Sequence, residues 1–222
     1  MRSVVRLFTL VCLGLALVPA SGCASLKTVV QTALAAAPGN DTTHGASPYG
    51  AADPRLTAPN PTGGPANPFL ANGNAIVKAL NAIAARSGRP LRIMNLEADT
   101  FNGLSAEVVE PRNRLHVDEY KIAIDGTMTG PFPVRLNGAD GKAPTVADVD
   151  YNSLDPRIYH FAGLANAVRE AIAKSKTPDA RVSSWQIDRA WGEYQWGLTM
   201  DAQRSRPNVT LRPNATIERI SF

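Results

Sequence analysis

The sequence predicts an α+β fold, a helix followed by antiparallel strands, run through twice. Three observations carry that prediction. Apolar residues recur at helical spacing around Ile76 and again around Phe161. Short alternating segments bounded by turn residues follow each helix. Ile83, Ile93 and Asp99 are also matched, at one offset of 89 residues, by Ile172, Val182 and Asp188. The expectation is a duplicated αβββ unit, with the alternative of one domain in which two helices cover a single sheet.

The first half is assigned to residues 69–145. Asn74 begins a helix whose inward face is Ile76, Val77, Leu80, Ile83 and Ala84; Ser87-Gly88 ends it and Pro90 bars its continuation. Strands are expected at 91–97, 104–110, 115–124 and 134–136, separated by Asn102-Gly103, Pro111-Arg112-Asn113 and Asp125-Gly126. A Gly/Asp-rich loop over 137–142 leads to the second half, 146–222. There Asp155-Pro156 supplies a cap and first-turn pair for a helix with Phe161, Leu164, Ala165, Val168 and Ile172 on one face. Pro178 stops it, and strands recur at 181–188, 194–200, 208–212 and 216–221.

Three segments precede this region. Residues 1–22 read as a secretory signal: Arg2 and Arg6 are its charged end, and 7–18 is an apolar stretch too short to cross ~30 Å of hydrocarbon as a helix. Cys12 leaves with the signal, so Cys23 remains as the mature chain's one cysteine and no intramolecular disulfide is expected. Ala20-Ser21-Gly22-Cys23 resembles the lipobox of bacterial lipoproteins. The resemblance implies lipidation of Cys23, with palmitate among its chains, at ~0.8 kcal/mol per buried CH₂. Ala24, where sorted lipoproteins kept at the inner membrane carry Asp, implies the periplasmic face of the outer membrane. Residues 23–37 add to this anchor a short helical pattern of Leu26, Val29, Val30, Ala33 and Leu34. Residues 38–68 hold seven prolines and five glycines in 31 residues without apolar periodicity, and are expected to be a tether.

Composition limits the function classes. Of 222 residues, 44% are hydrophobic and 19% charged, and one apolar run at the start excludes a polytopic membrane protein. The net charge of +4 falls to about +2 without Arg2 and Arg6, too small a bias to imply nucleic acid. No catalytic constellation stands out. Asp148-Val149-Asp150 starts like a calcium loop, but Ser153 stands where the loop needs Gly and Tyr159 where it needs Glu. His116 and Asp118 share one side of a strand pattern, yet no companion nucleophile accompanies them, and Glu97 and Asp99, which project to one side as glycosidase carboxylates can, are read as a solvated strand end. His44, His116 and His160 are too scattered for zinc. No metal site and no cofactor are expected.

One cluster rises above this background. Trp185, Trp191 and Trp196 fall within twelve residues, with Tyr194 among them. These four are the candidate binding residues, with packing in the core as the alternative, which Trp185 and Trp196 can reach by alternation within their strands. Tyr194 and Trp196 share a strand face with Leu198 and Met200, and Trp191-Gly192 forms a turn where a tryptophan stays exposed.

The order of elements over residues 72–222 is similar to tandem PepSY-like and beta-lactamase-inhibitor-like periplasmic modules. That resemblance implies a sheet face that binds another protein. The expected function is a non-enzymatic, lipid-anchored periplasmic binding module that binds or inhibits an envelope protein. Peptidoglycan or glycan binding through the tryptophans is the alternative, and an envelope hydrolase the third.

Overall fold

The computed structural model describes residues 47–137, 142–190 and 193–222. The expected signal, Cys23, the helical pattern of 23–37, His44 and Trp191 lie outside the described residues.

Helix α1 (Gly73–Ser87) leads into β1 (Ile93–Asp99), β2 (Gly103–Val109), β3 (Val117–Ile122) and β4 (Met128–Pro133). A short helix, α2 (Val146–Asn152), precedes α3 (Leu164–Ser175), which leads into β5 (Arg181–Ala190), β6 (Glu193–Asp201), β7 (Asn208–Leu211) and β8 (Ile217–Ser221). All eight strands form one antiparallel sheet in the order β4-β3-β2-β1-β5-β6-β7-β8. Each half is therefore a four-strand meander, and the two meanders join through their first strands, with Glu97 opposite Gln186. The fold is α+β, and mostly sheet.

Helix α1 forms where the apolar stripe has a cap at each end. Asn72 accepts a hydrogen bond from Ala75 N–H at 3.2 Å, and Gly88, at φ +99°, donates its N–H to Ala84 O at 3.0 Å. Ile76, Ala79, Leu80 and Ile83 face the core, whereas Val77, read as inward, is 44% exposed. Gly73 stands at a close approach: a Cβ there would lie 1.8 Å from Phe161 O. The second helix starts later than the Asp155-Pro156 pair suggests. Asp155 caps a 3-10 turn at Pro156–Ile158, a second such turn follows at Phe161–Gly163, and α3 begins only at Leu164. Buried residues of both long helices and alternate residues of the strands make one continuous core spanning the two halves.

Two expectations need correction. The strand expected at 134–136 lies one segment earlier, at β4, although β4 carries Pro131 and Pro133. Prolines are tolerated there because β4 is an edge, where half of the backbone N–H groups have no strand to bond. Val134 and Leu136 instead join Met94 around a small cluster of Val109, Val117 and Val149 on the opposite face of the sheet from the main core.

The other correction concerns the tether. Within 38–68, the described part from 47 onward is packed against the domain. Leu56 and Ala58 bracket Val182 with two backbone hydrogen bonds of 2.8 Å, and Tyr49 and Leu56 belong to the main core. Asn67, 0% exposed, donates to Asp99 O and Gly103 O at 2.7 and 2.8 Å, and its Oδ1 accepts from Phe69 N–H at 2.8 Å. Prolines and glycines here shape a fitted strap, which lacks periodicity because it is neither helix nor strand.

The third-to-fourth strand turns of the two halves are built alike. Ala123 N–H donates to Thr127 O, and Arg212 N–H to Thr216 O, each at 2.9 Å. Asp125 Oδ1 accepts from Thr127 N–H, and Asn214 Oδ1 from Thr216 N–H. Gly126 and Ala215 both have positive φ, +95° and +62°. Equivalent positions stand 89 residues apart, the offset visible in the sequence.

Candidate binding face

Alternation decides what each side of the sheet presents. Past the register irregularities at Ile93/Asn95 and Val182/Ser184, odd positions of β1 and even positions of β5 point away from the helices, and so do the matching positions of their neighbours. One row across this open side runs Thr210, Gly197, Gln186, Glu97, Ser105 and Lys121, through β7, β6, β5, β1, β2 and β3. Beside it Asn95, Glu107 and Glu119 are paired across β1, β2 and β3. A trough of about 440 Å³ opens over Gly197, bordered by Glu97, Gln186, Thr199 and Thr210. Among the described residues, Val149 of α2 with Val134 and Leu136 covers the end beyond Val109 and Val117.

The face is acidic. Ser105 Oγ donates to Glu119 Oε1 at 2.9 Å, and Lys121 Nζ lies 3.1 Å from Glu119 Oε2, so the nearby lysine is already matched. Gln186 Nε2 bridges Asn95 Oδ1 and Asp188 Oδ2, each at 3.1 Å. Burial pushes the Glu107 carboxyl above its ordinary range, and the charges of Glu119 and Glu97 push it further the same way. Burial also raises Asp188. Carboxylates crowded on a half-dry surface repel each other, and a cation arriving from outside relieves that repulsion. Asp99, at the end of the face, is otherwise engaged: its carboxylate accepts from the N–H groups of Phe101 and Asn102 and holds the β1–β2 turn.

Of the two readings of the aromatic cluster, core packing holds for Trp185 and Trp196, and surface binding does not. Trp185 and Trp196 are 2% and 0% exposed and pack with Tyr159 and Phe161 beneath the helices, so neither belongs to a surface site. The period-2 alternation that groups Tyr194, Trp196, Leu198 and Met200 directs that group inward. Trp185 Nε1 donates to Phe69 O at 2.8 Å, fastening to β5 the 3-10 turn Pro68–Leu70 at the end of the strap. Tyr194 is half-buried and its hydroxyl donates to Ser153 O at 2.8 Å, which ties β6 to the chain after α2. Among these four, only Trp191 falls outside the described residues.

The other titratable candidates are dispersed. His116 Nδ1 lies 3.3 Å from Glu110 Oε2, just ahead of β3, and is not paired with Asp118. Asp148 closes a capping box with Thr145 at the start of α2, and Asp150 pairs with Arg114. His160 is exposed and its backbone N–H donates to Pro213 O. Among the described residues no three His, Cys, Asp or Glu side chains are grouped to hold a metal ion. The cluster of acids is not visible in the sequence because Glu97, Glu107 and Glu119 occupy ordinary solvent positions of three strands, and only the strand register brings Glu107 and Glu119 beside Glu97.

The fold has a solved counterpart. A crystal structure of a Clostridium difficile protein, provisionally described as a lipoprotein, superposes with a TM-score of 0.50, covering 66% of this chain and 91% of that one. At 13% identity the likeness is one of fold alone. No family model matches the chain, and no curated protein matches it. Among the described residues no helix is long and apolar enough to cross a membrane.

Proposed function

We propose that the chain is a lipid-anchored envelope protein without catalytic activity, whose uncovered sheet face binds a basic protein partner. The acidic cluster of Glu97, Glu107 and Glu119 beside Asp188, spread over two neighbouring rows, carries this reading: both long helices pack on the other side, and the matched Lys121 leaves negative charge in excess. The anchor rests on the lipobox-like Ala20-Ser21-Gly22-Cys23 and agrees with the description of the Clostridium difficile protein. Ala24 supports the periplasmic face of the outer membrane. A glycan-binding role would need an exposed aromatic platform, and the burial of Trp185 and Trp196 takes two of its residues away. The matched turns and the Glu97–Gln186 pairing at the seam support reading the two halves as copies of one unit, the organisation of PepSY-like tandem modules.

Two measurements test the proposal. Cys23→Ser is expected to move the protein from the membrane to the soluble fraction; a native protein that is already soluble refutes the anchor. Basic proteins retained from envelope extract by the native chain should be lost by Glu97→Lys at an unchanged melting temperature. Equal retention refutes the binding face.

A further inference from the structure

The helical side of the molecule carries a second concavity, independent of the sheet face. A cleft of about 560 Å³ opens between α1 and the chain from Asp155 to Phe161, within the ~300–1,000 Å³ of small-molecule sites. Val77, Leu80 and Ala84 run along its helical wall, a span of roughly 10 Å at the helical rise. Leu91, Pro156 and Phe161 supply further apolar lining. Val77 lies on the apolar stripe of α1 and yet is 44% exposed, because it borders this opening and not the core. Tyr159 also lines the cleft; its buried hydroxyl has no hydrogen-bond partner among the described residues.

The polar lining is asymmetric in charge. Arg157 clamps Asp155 through Nε and Nη2, so that pair is close to neutral. Arg89 donates through Nη2 to Asn81 Oδ1 at 3.3 Å and has no carboxylate partner among the described residues. The cleft thus combines an elongated apolar wall with one unmatched guanidinium and a side-chain amide.

We infer that this cleft binds a linear amphiphilic carboxylate, with its acyl tail along Val77, Leu80 and Ala84 and its head on Arg89. A guanidinium suits a carboxylate because its planar fork can donate two parallel hydrogen bonds. The volume holds one tail of medium length, so the ligand is a monomeric acyl carboxylate and not a bilayer surface.

The probe is decanoate, titrated calorimetrically into the full chain below its micelle-forming concentration, with decyltrimethylammonium as the tail-matched cation. The expected result is saturable one-site binding of decanoate, with the cation weaker by about tenfold or more, the scale of one charge-assisted hydrogen bond. Arg89→Glu should weaken decanoate by a similar factor and favour the cation, with melting unchanged because Arg89 is exposed. Lys174→Glu, which removes a positive charge on α3 away from the cleft, should leave decanoate binding unaltered. The inference is overturned by absence of saturable binding, by equal affinity for the two amphiphiles, or by an Arg89→Glu variant that binds decanoate as the native chain does. Binding to vesicles of anionic phospholipid without binding to decanoate also overturns it. The loss of decanoate binding in Arg89→Glu does not depend on the acidic sheet face, which attracts cations and not decanoate.

Discussion

Asn67→Ala is the perturbation that most sharply separates a packed strap from a loose tether. The native side chain satisfies three backbone groups at once: Asp99 O, Gly103 O and Phe69 N–H. Alanine removes all three partners and leaves a void that the wholly enclosed site gives water little room to fill. The bonds to Gly103 O and Phe69 N–H are buried, and stranding such groups costs about 1–3 kcal/mol each. The bond to Asp99 O is partly exposed and adds about 1 kcal/mol or less. The sum is about 2–7 kcal/mol, which at ~2–4 °C per kcal/mol for a domain of this size lowers the melting temperature by roughly 5–25 °C. Asn60→Ala is the control, since its bonds to Thr62 are exposed, and it should shift melting by about 2 °C or less. Asn67→Asp adds a chemical check. Its carboxylate still accepts from Phe69 N–H but faces two carbonyls with no donor, so the variant should recover part of its stability in acid, where one oxygen is protonated. If Asn67→Ala melts like Asn60→Ala, the strap does not pack in solution and residues 47–68 are a tether after all.

Three further outcomes follow from named contacts. Trp196→Ala should cost about 3–5 kcal/mol in denaturant unfolding, and a loss below about 1 kcal/mol would remove Trp196 from the core. Glu107→Gln should stabilise the protein near pH 7. Because the folded carboxyl titrates above its ordinary value of 4.5, ionisation disfavours the folded state; the gain is full above the raised value and fades as pH falls towards 4.5. Melting curves across pH test the sign, and a gain that grows in acid refutes it. Gly73→Ala should lower the melting temperature even though alanine is the better helix former by ~1 kcal/mol, because its Cβ cannot share space with Phe161 O; a higher melting temperature would contradict the close approach.

Much of the fold is legible in the sequence wherever one physical signal acts alone. Strands β1, β2, β5, β6 and β7 are found because alternation and turn residues agree, and α1 because its stripe and both ends agree. The failures occur where signals compete. Pro131 and Pro133 argue against a strand, and only an edge position, a property of the assembled sheet, accommodates them. Asp155-Pro156 is a sound helix start, but the chain spends it on a 3-10 turn because Phe161 must first reach the aromatic core. The strap has no period at all, so its fit depends on contacts such as Trp185 with Phe69 that are remote in sequence. For the candidate sites, alternation within strands is enough to bring Trp185 and Trp196 to the core, as found. Glu107 and Glu119 carry no signal of their own, Glu97 stands out only beside Asp99, and Arg89 acquires meaning only beside a cleft that two distant segments enclose.

The seam between β1 and β5 bears on the order in which the chain can become safe from aggregation. A chain that emerges amino terminus first completes its first meander while β1 still has one side bare, waiting for β5. The other side of that meander is already blunted by the prolines of β4. The bare side is the hazardous one, a seven-residue strand open to pairing with any passing chain until its own partner arrives. The second meander caps that strand on arrival and transfers the exposed edge to β8, five residues long and bearing Glu218 and Arg219. Folding thus exchanges a long open edge for a short charged one, and any delay between the halves lengthens the period of risk.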